Sequence, residues 1–210
     1  MDLYHLDRRR SFPVGSTISH LPAEDIPQAL RDTIFYKQFP NGLSSHGLSY
    51  LSLTCPTYPF YFLGNEPCYP MRSVSEQIEK SNSLILEFAV ELVRKSYFPQ
   101  YPSRYESLFS VGNLDDFRLW PELCRPEDLA KSRIIKIDAP DDTHCFDAAW
   151  LRGGLIHNID GNRYYISYAP AYCFDLAFKY WSKESSEKPR WEYLIPLPID
   201  ASRISLIKSD

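Results

Sequence analysis

The sequence predicts an α+β fold in a single domain. Strand-like segments stand near both ends of the chain, Leu3-Tyr4-His5-Leu6-Asp7 and Trp191-Glu192-Tyr193-Leu194-Ile195-Pro196-Leu197-Pro198-Ile199. One long helical pattern runs through residues 73–97. Between these, strands and helices mix without the regular alternation that builds a doubly wound parallel sheet. The 210 residues suit one domain with a real core, and 44% hydrophobic with 24% charged residues is ordinary globular composition.

Residues 2–18 read as two short strands, the second being Val14-Gly15-Ser16-Thr17-Ile18, joined by the basic turn Arg8-Arg9-Arg10. Residues 21–39 contain a helix-compatible piece opened near Pro22-Ala23-Glu24-Asp25. From 40 to 71 Pro, Gly, Ser, Thr and Tyr prevail, with Asn41-Gly42 as a turn signal and Pro56, Pro59, Pro67 and Pro70 as breakers. That segment reads as a long loop, the kind that becomes a lid or binding surface when ordered. In 73–97, Val74, Ile78, Leu84, Ile85, Phe88, Leu92 and Val93 recur near helical spacing, and Ser73-Val74-Ser75-Glu76 offers a capping box. Pro99 and Pro102 stop this helix. Residues 103–111 then read as an alternating strand and 114–120 as a short helix. Arg133-Ile134-Ile135-Lys136-Ile137-Asp138 is a strand, 147–152 a short helix and 163–167 a further strand. Residues 171–183 put Leu176, Ala177, Tyr180 and Trp181 on one helical face, read as core beneath the last strand.

Composition removes several function classes. The longest apolar runs fall far short of the roughly 18 to 20 residues of a membrane span, and the N-terminus is charged, so the expectation is a soluble, cytosolic protein without membrane partners. Cys55, Cys68, Cys124, Cys145 and Cys173 are scattered, odd in number and free of any Cys-x-x-Cys pair, which argues against a disulfide framework and a zinc site. A formal charge of −4 leaves no global basic footprint, so nucleic-acid contact would rest on local patches such as Arg8-Arg9-Arg10. Fifteen Tyr, twelve Phe and four Trp concentrate in 50–69 and 164–193; most serve as core, and irregular aromatic segments also stack on planar rings. No Gly-rich phosphate loop and no internal repeat occurs.

Glu192 is the residue that most invites a functional reading. An ionised carboxylate within an apolar strand must pair, face a cleft or water, or bind something, because burying it alone is costly. His5 on the first strand and Ser107 or Tyr105 on the middle one give Glu192 two candidate companions. Alternation along 103–111 places Tyr105, Ser107 and Phe109 on one strand face.

A His on the first strand, a Ser/Tyr-bearing middle strand and a Glu on a late strand resemble the ADP-ribosyltransferase fold, in its His-Tyr-Glu-like branch and its bacterial toxin and defence members. The likeness rests on three short segments spread over nearly the whole chain. It implies a split, mostly antiparallel central sheet with flanking helices. It also implies mono-ADP-ribosyl transfer from NAD, with Glu192 as the catalytic carboxylate beside the ribose and His5 on the adenosine ribose. Tyr105, Ser107 and Phe109 are the candidates for the nicotinamide half, and Arg104 for a phosphate. The chemistry passes through an oxocarbenium-like transition state, which one fixed carboxylate stabilises electrostatically.

The chain departs from the arginine-directed members. Arg190 stands where they carry a second acid, and their Ser-Thr-Ser motif is absent. The expected acceptor is therefore nucleic acid, single-stranded RNA before DNA, slightly ahead of a non-arginine protein side chain, with an antitoxin protein as a further candidate partner. An NAD hydrolase with the same site and a non-catalytic binding module on the same fold stay open as alternatives. A Cys145–His144 hydrolase ranks below them, since adjacent strand residues point to opposite faces.

Overall fold

The computed structural model describes residues 1–7, 12, 15–51, 74–120, 132–151, 156–159, 162–165 and 169–208. The chain forms a single α+β domain built on antiparallel sheets. Strands β1 (Asp2–Asp7), β3 (Arg133–Asp138) and β8 (Ile204–Lys208) pair in the order β1-β3-β8. Strands β2 (Ser107–Ser110), β4 (His144–Asp147) and β7 (Trp191–Pro196) pair in the order β2-β7-β4. Strands β5 (Ile156–Ile159) and β6 (Asn162–Tyr165) pair as a separate two-stranded sheet. Tyr4 and Val111 exchange two backbone hydrogen bonds of 2.9 Å and rivet β1 to β2, so the two main sheets meet edge to edge at one point. Ile18 and Ile199 form a second isolated bridge.

Among the described residues four α-helices accompany the sheets: α1 (Gln28–Arg31), α2 (Ser45–Leu51), α3 (Val74–Tyr97) and α4 (Ala169–Trp181). Helices α3 and α4 cover the β2-β7-β4 sheet. Their shared core holds Leu86, Ala89, Val90, Val93, Cys173, Ala177, Trp181, Phe146 and Leu194, and the Trp181 indole donates to the Val90 carbonyl at 2.8 Å. A second core of Leu3, Ile18, Leu108, Ile135, Ile137, Ile195 and Ile199 draws on both sheets.

Several expectations change. The helical piece in 21–39 is broken by Pro22 and Pro27 into α1 and two 3₁₀ turns, Ala23–Asp25 and Tyr36–Gln38. Of the strand expected at 14–18, residues 15–17 turn and Ile18 contributes only its bridge. The strand expected at 103–111 shrinks to β2, because the Ser103 carbonyl accepts from the Glu106 N–H and the Ser107 hydroxyl and closes a turn. The helix at 114–120 is a 3₁₀ helix, Leu114–Leu119, with an Asn113–Asp116 capping box. Residues 147–152 supply only the 3₁₀ turn Ala148–Trp150. The expected loop 40–71 contains α2, while 52–71 and the Ser73 cap lie outside the described residues, as do Arg8, Arg9 and Arg10.

The amphipathic face of α3 also differs from the one its apolar spacing implies. Phe88 and Leu92 are about half exposed, whereas Glu87 and Glu91 are buried. The stripe facing the core is Leu86, Ala89, Val90 and Val93. Beside it, Glu91 is held by Arg94 of the same helix and Glu87 by Arg104 of the following segment.

Candidate active site

Strand β7 carries Glu192 inward, opposite Phe146 of β4, with 4% of its surface exposed. Its Oε1 accepts from Tyr180 of α4 (2.6 Å) and from Arg104 Nη1. Arg104 is equally buried, and its Nε and Nη2 grip both oxygens of Glu87 on α3 at 2.9 and 3.0 Å, a fork-to-fork pair. Arg104 Nη1 also donates to the Tyr180 hydroxyl at 3.0 Å. One guanidinium thus serves two carboxylates. No hydrogen bond reaches Oε2 of Glu192 from the described residues.

The protonation equilibria follow. Burial works against the Arg104 cation, but Glu192 and then Glu87 overcome it and raise Arg104 well above its ordinary value. Burial raises Glu192, while Arg104 and the Tyr180 hydroxyl pull it back and Glu87 pushes it up again; the net effect is upward. Burial is the larger cause of that rise, and the second acid on the same guanidinium adds to it. Tyr50 and Tyr180 are held protonated, first by burial, then by the neighbouring carboxylates.

Glu192 and Arg104 form one end of a cavity of about 260 Å³. His5, Leu6, His46, Ser49, Tyr50, Phe109, Ser110, Val111, Phe117 and Trp120 complete its lining. It lies against the seam where β1 and β2 meet, lined there by His5 and Leu6 of one strand and Phe109 and Ser110 of the other. His5 enters from β1 and its Nδ1–H donates to the Phe109 carbonyl at 2.7 Å, which leaves Nε2 as the acceptor nitrogen of the neutral ring. Phe109 enters from β2, its ring under Arg104 at 4.6 Å and against His46 at 5.1 Å. The Ser110 Oγ and Trp120 Nε1 atoms are buried without hydrogen-bond partners. The cavity therefore joins a carboxylate end to an aromatic body that has unsatisfied donors in its wall.

His5, Phe109, Arg104 and Glu192 thus share one cavity, but Tyr105 and Ser107 do not line it. Tyr105 lies in the turn before β2 and packs with Ile26, Phe39 and Leu43. Ser107 is fully buried and spends its hydroxyl on the Ser103 carbonyl. The late start of the strand removes Tyr105 from it, while Ser107 stands within β2 and is absorbed by the turn that its hydroxyl closes. Arg104 reaches the cavity with its guanidinium committed to Glu87, Tyr180 and Glu192, so its hydrogen bonds position the carboxylate and do not serve a phosphate. Arg190 sits over the Trp120 ring at 4.7 Å, outside the lining.

Helix α2 supplies the wall that the sequence did not reveal. His46, Ser49 and Tyr50, at i, i+3 and i+4, share its inner face. Ser44 anchors the helix: its N–H and hydroxyl both donate to the Tyr105 carbonyl (2.9 and 3.1 Å), and its Oγ caps the Gly47 N–H at 3.0 Å. Gly47 is required there, because a Cβ would stand 2.0 Å from the Tyr105 carbonyl oxygen. Ser44 followed by Gly47 within His46-x-x-Ser49-Tyr50 is the local signal, hidden by its Pro- and Tyr-rich surroundings. Glu87 and Tyr180 were likewise hidden by their place in helical patterns.

The family described as Protein of unknown function (DUF2441) matches residues 3–205. The chain belongs to that family. No curated protein matches it. The matched span takes in every residue lining the cavity, from His5 to Glu192. Among the described residues no three His, Cys, Asp or Glu side chains gather as a metal site, and no helix is long and apolar enough to cross a membrane.

Proposed function

We propose that this DUF2441 protein is a mono-ADP-ribosyltransferase that takes NAD as substrate, with a macromolecular acceptor, RNA first. The observation that carries the reading is that His5 and Glu192, 187 residues apart in the chain (192 − 5), line one cavity from separate sheets. At about 260 Å³ the cavity lies just under the roughly 300–1,000 Å³ of small-molecule sites, room for the nicotinamide riboside half of a dinucleotide. The chemistry of its walls fits that half: ring faces for a pyridine, the unsatisfied Ser110 and Trp120 donors for a carboxamide oxygen, and Glu192 Oε2 for a ribose hydroxyl.

In the reaction the bond between C1′ of the ribose and the pyridinium nitrogen breaks. Its electron pair stays with nitrogen and neutral nicotinamide leaves. The acceptor oxygen or nitrogen bonds to C1′ and gives up its proton to solvent water. Positive charge grows on the ribose as the bond breaks, and the Glu192 carboxylate stabilises it in a site where little water screens the interaction. Arg104 and Tyr180 fix Oε1, so Oε2 meets the sugar in one orientation.

NAD labelled in its adenylate phosphate, incubated with the protein and cell extract, tests this reading. Label is expected in a product that nuclease destroys and protease spares, and Glu192→Gln is expected to lower transfer at least about a hundredfold while keeping the fold. Nuclease-resistant, protease-sensitive label overturns the RNA acceptor. Undiminished transfer by folded Glu192→Gln overturns the assignment itself, and nicotinamide release without label in any macromolecule identifies a hydrolase.

A further inference from the structure

We infer that the cavity selects an aromatic cation, and that Glu87, which does not line it, is the source of that preference. This rests on the same cavity as the proposed NAD site, but on its charge and not on any transfer activity. Glu87, Arg104 and Glu192 are each at least 94% buried and bonded into one unit. Two carboxylates on one guanidinium leave a net charge of −1 when both are ionised. Burying an uncompensated charge is costly, so the unit draws in a compensating positive charge.

The groups facing Glu192 are Arg104, Glu87 of α3, Tyr180 of α4, Tyr50 and His46 of α2 and His5 of β1. Both tyrosines are held in the neutral form, and the His5 ring is oriented by its bond to Phe109. Arg104 is already spent on the two acids. Arg190, part-exposed beyond the Trp120 ring, is screened by solvent and lies outside the lining. Burial first, and Glu87 after it, raise the titration of Glu192 against the pull of Arg104 and Tyr180.

The rest of the wall decides which cation. Phe109, Phe117, Trp120 and Tyr50 surround the space with rings, which favour a soft, delocalised cation over a hydrated ammonium ion. An N-alkylated pyridinium joins both properties. The reduced dihydropyridine has the same outline and no charge, and so does neutral nicotinamide. The site therefore distinguishes oxidised from reduced nicotinamide by electrostatics before any bond breaks.

The experiment is calorimetric titration at pH 8 of the full chain with 1-methylnicotinamide, a cation, and with nicotinamide, its neutral counterpart. The cation is expected to bind at least tenfold more tightly. In Glu87→Gln, which keeps shape while removing one charge, the ratio is expected to fall to about threefold or less, with nicotinamide affinity unchanged. Equal affinities in the native protein overturn the inference, as does binding of neither compound at millimolar concentration, and both results stand whether or not the variant folds. A ratio that survives in folded Glu87→Gln overturns the role of Glu87. Pyridinium selectivity without label transfer from NAD removes the transferase reading alone; label transfer with equal affinities removes this one alone.

Discussion

Replacing Arg104 with Met removes the guanidinium and keeps most of the side-chain volume. The variant leaves Glu87 and Glu192 buried and facing each other without the cation that joins them. Breaking a buried pair by removing one partner costs about 3–5 kcal/mol, because a charge is stranded in the interior. Here two are stranded and a proton relieves one, so the upper half of that range applies near neutral pH. For a chain of 210 residues each kcal/mol lowers Tm by about 2–4 °C, which gives a fall of roughly 8–20 °C. Urea unfolding followed by far-UV circular dichroism, with Cm and m fitted separately, measures it. The cost is expected to shrink as pH falls, since both carboxylates are then neutral, and to shrink in the double variant Arg104→Met/Glu192→Gln. Arg104→Met within about 1 kcal/mol of the native protein at pH 7 would refute the reasoning.

Three more outcomes are expected. The raised titration of Glu192 means that the folded state binds its proton more tightly than the unfolded chain, so its contribution to stability is present below its ordinary value of 4.5 and is lost as pH rises through the folded value; urea unfolding from pH 4.5 upward should therefore show Glu192→Gln gaining on the native protein, and parallel curves would count against it. Burial pushes Asp147 up, but N–H donors from Ser186 (2.7 Å), Arg190 (2.8 Å) and Ala149 (2.9 Å) hold it below its ordinary 3.8, so its contribution is present above that pH and lost in acid; Asp147→Ala should cost about 3 kcal/mol or more at pH 7, checked by thermal melts. Gly47→Ala should cost about 3 kcal/mol, the upper end of overpacking, because its methyl meets backbone that cannot rotate away, and should weaken 1-methylnicotinamide binding through displaced His46 and Tyr50.

What the sequence conveyed about the cavity divides along physical lines. Glu192 stood out because a carboxylate in an apolar strand carries its own energetic demand, whatever surrounds it. The β1, β3 and β7 strands were legible for a similar reason: each is a compact run of strand-forming residues. Strands β4 and β5 are only four residues long and carry His, Asn or Asp, so pairing partners and not propensity make them strands. The burial of Glu87 was illegible, since it depends on Arg104, which lies seventeen residues away and reaches it only through the turn at Ser103. The same turn kept Tyr105 out of the strand and took up the Ser107 hydroxyl, so of that trio Phe109 alone lines the cavity. Phe88 and Leu92 show the converse, apolar residues at helical spacing that face outward because arginine-bound acids occupy the inner face.

The Tyr4–Val111 bridge gives the cavity a mechanical character. Each main sheet has its own ladder of hydrogen bonds, but across the seam the two share a rivet of two. Side chains supply the rest of the join: Leu3, Ile135 and Ile137 of one sheet pack with Leu108 and Ile195 of the other. His5 belongs to one sheet and Glu192 to the other. A molecule that touches both braces the seam from the cavity side, and slower amide exchange in both β1 and β7 is the expected mark of its binding.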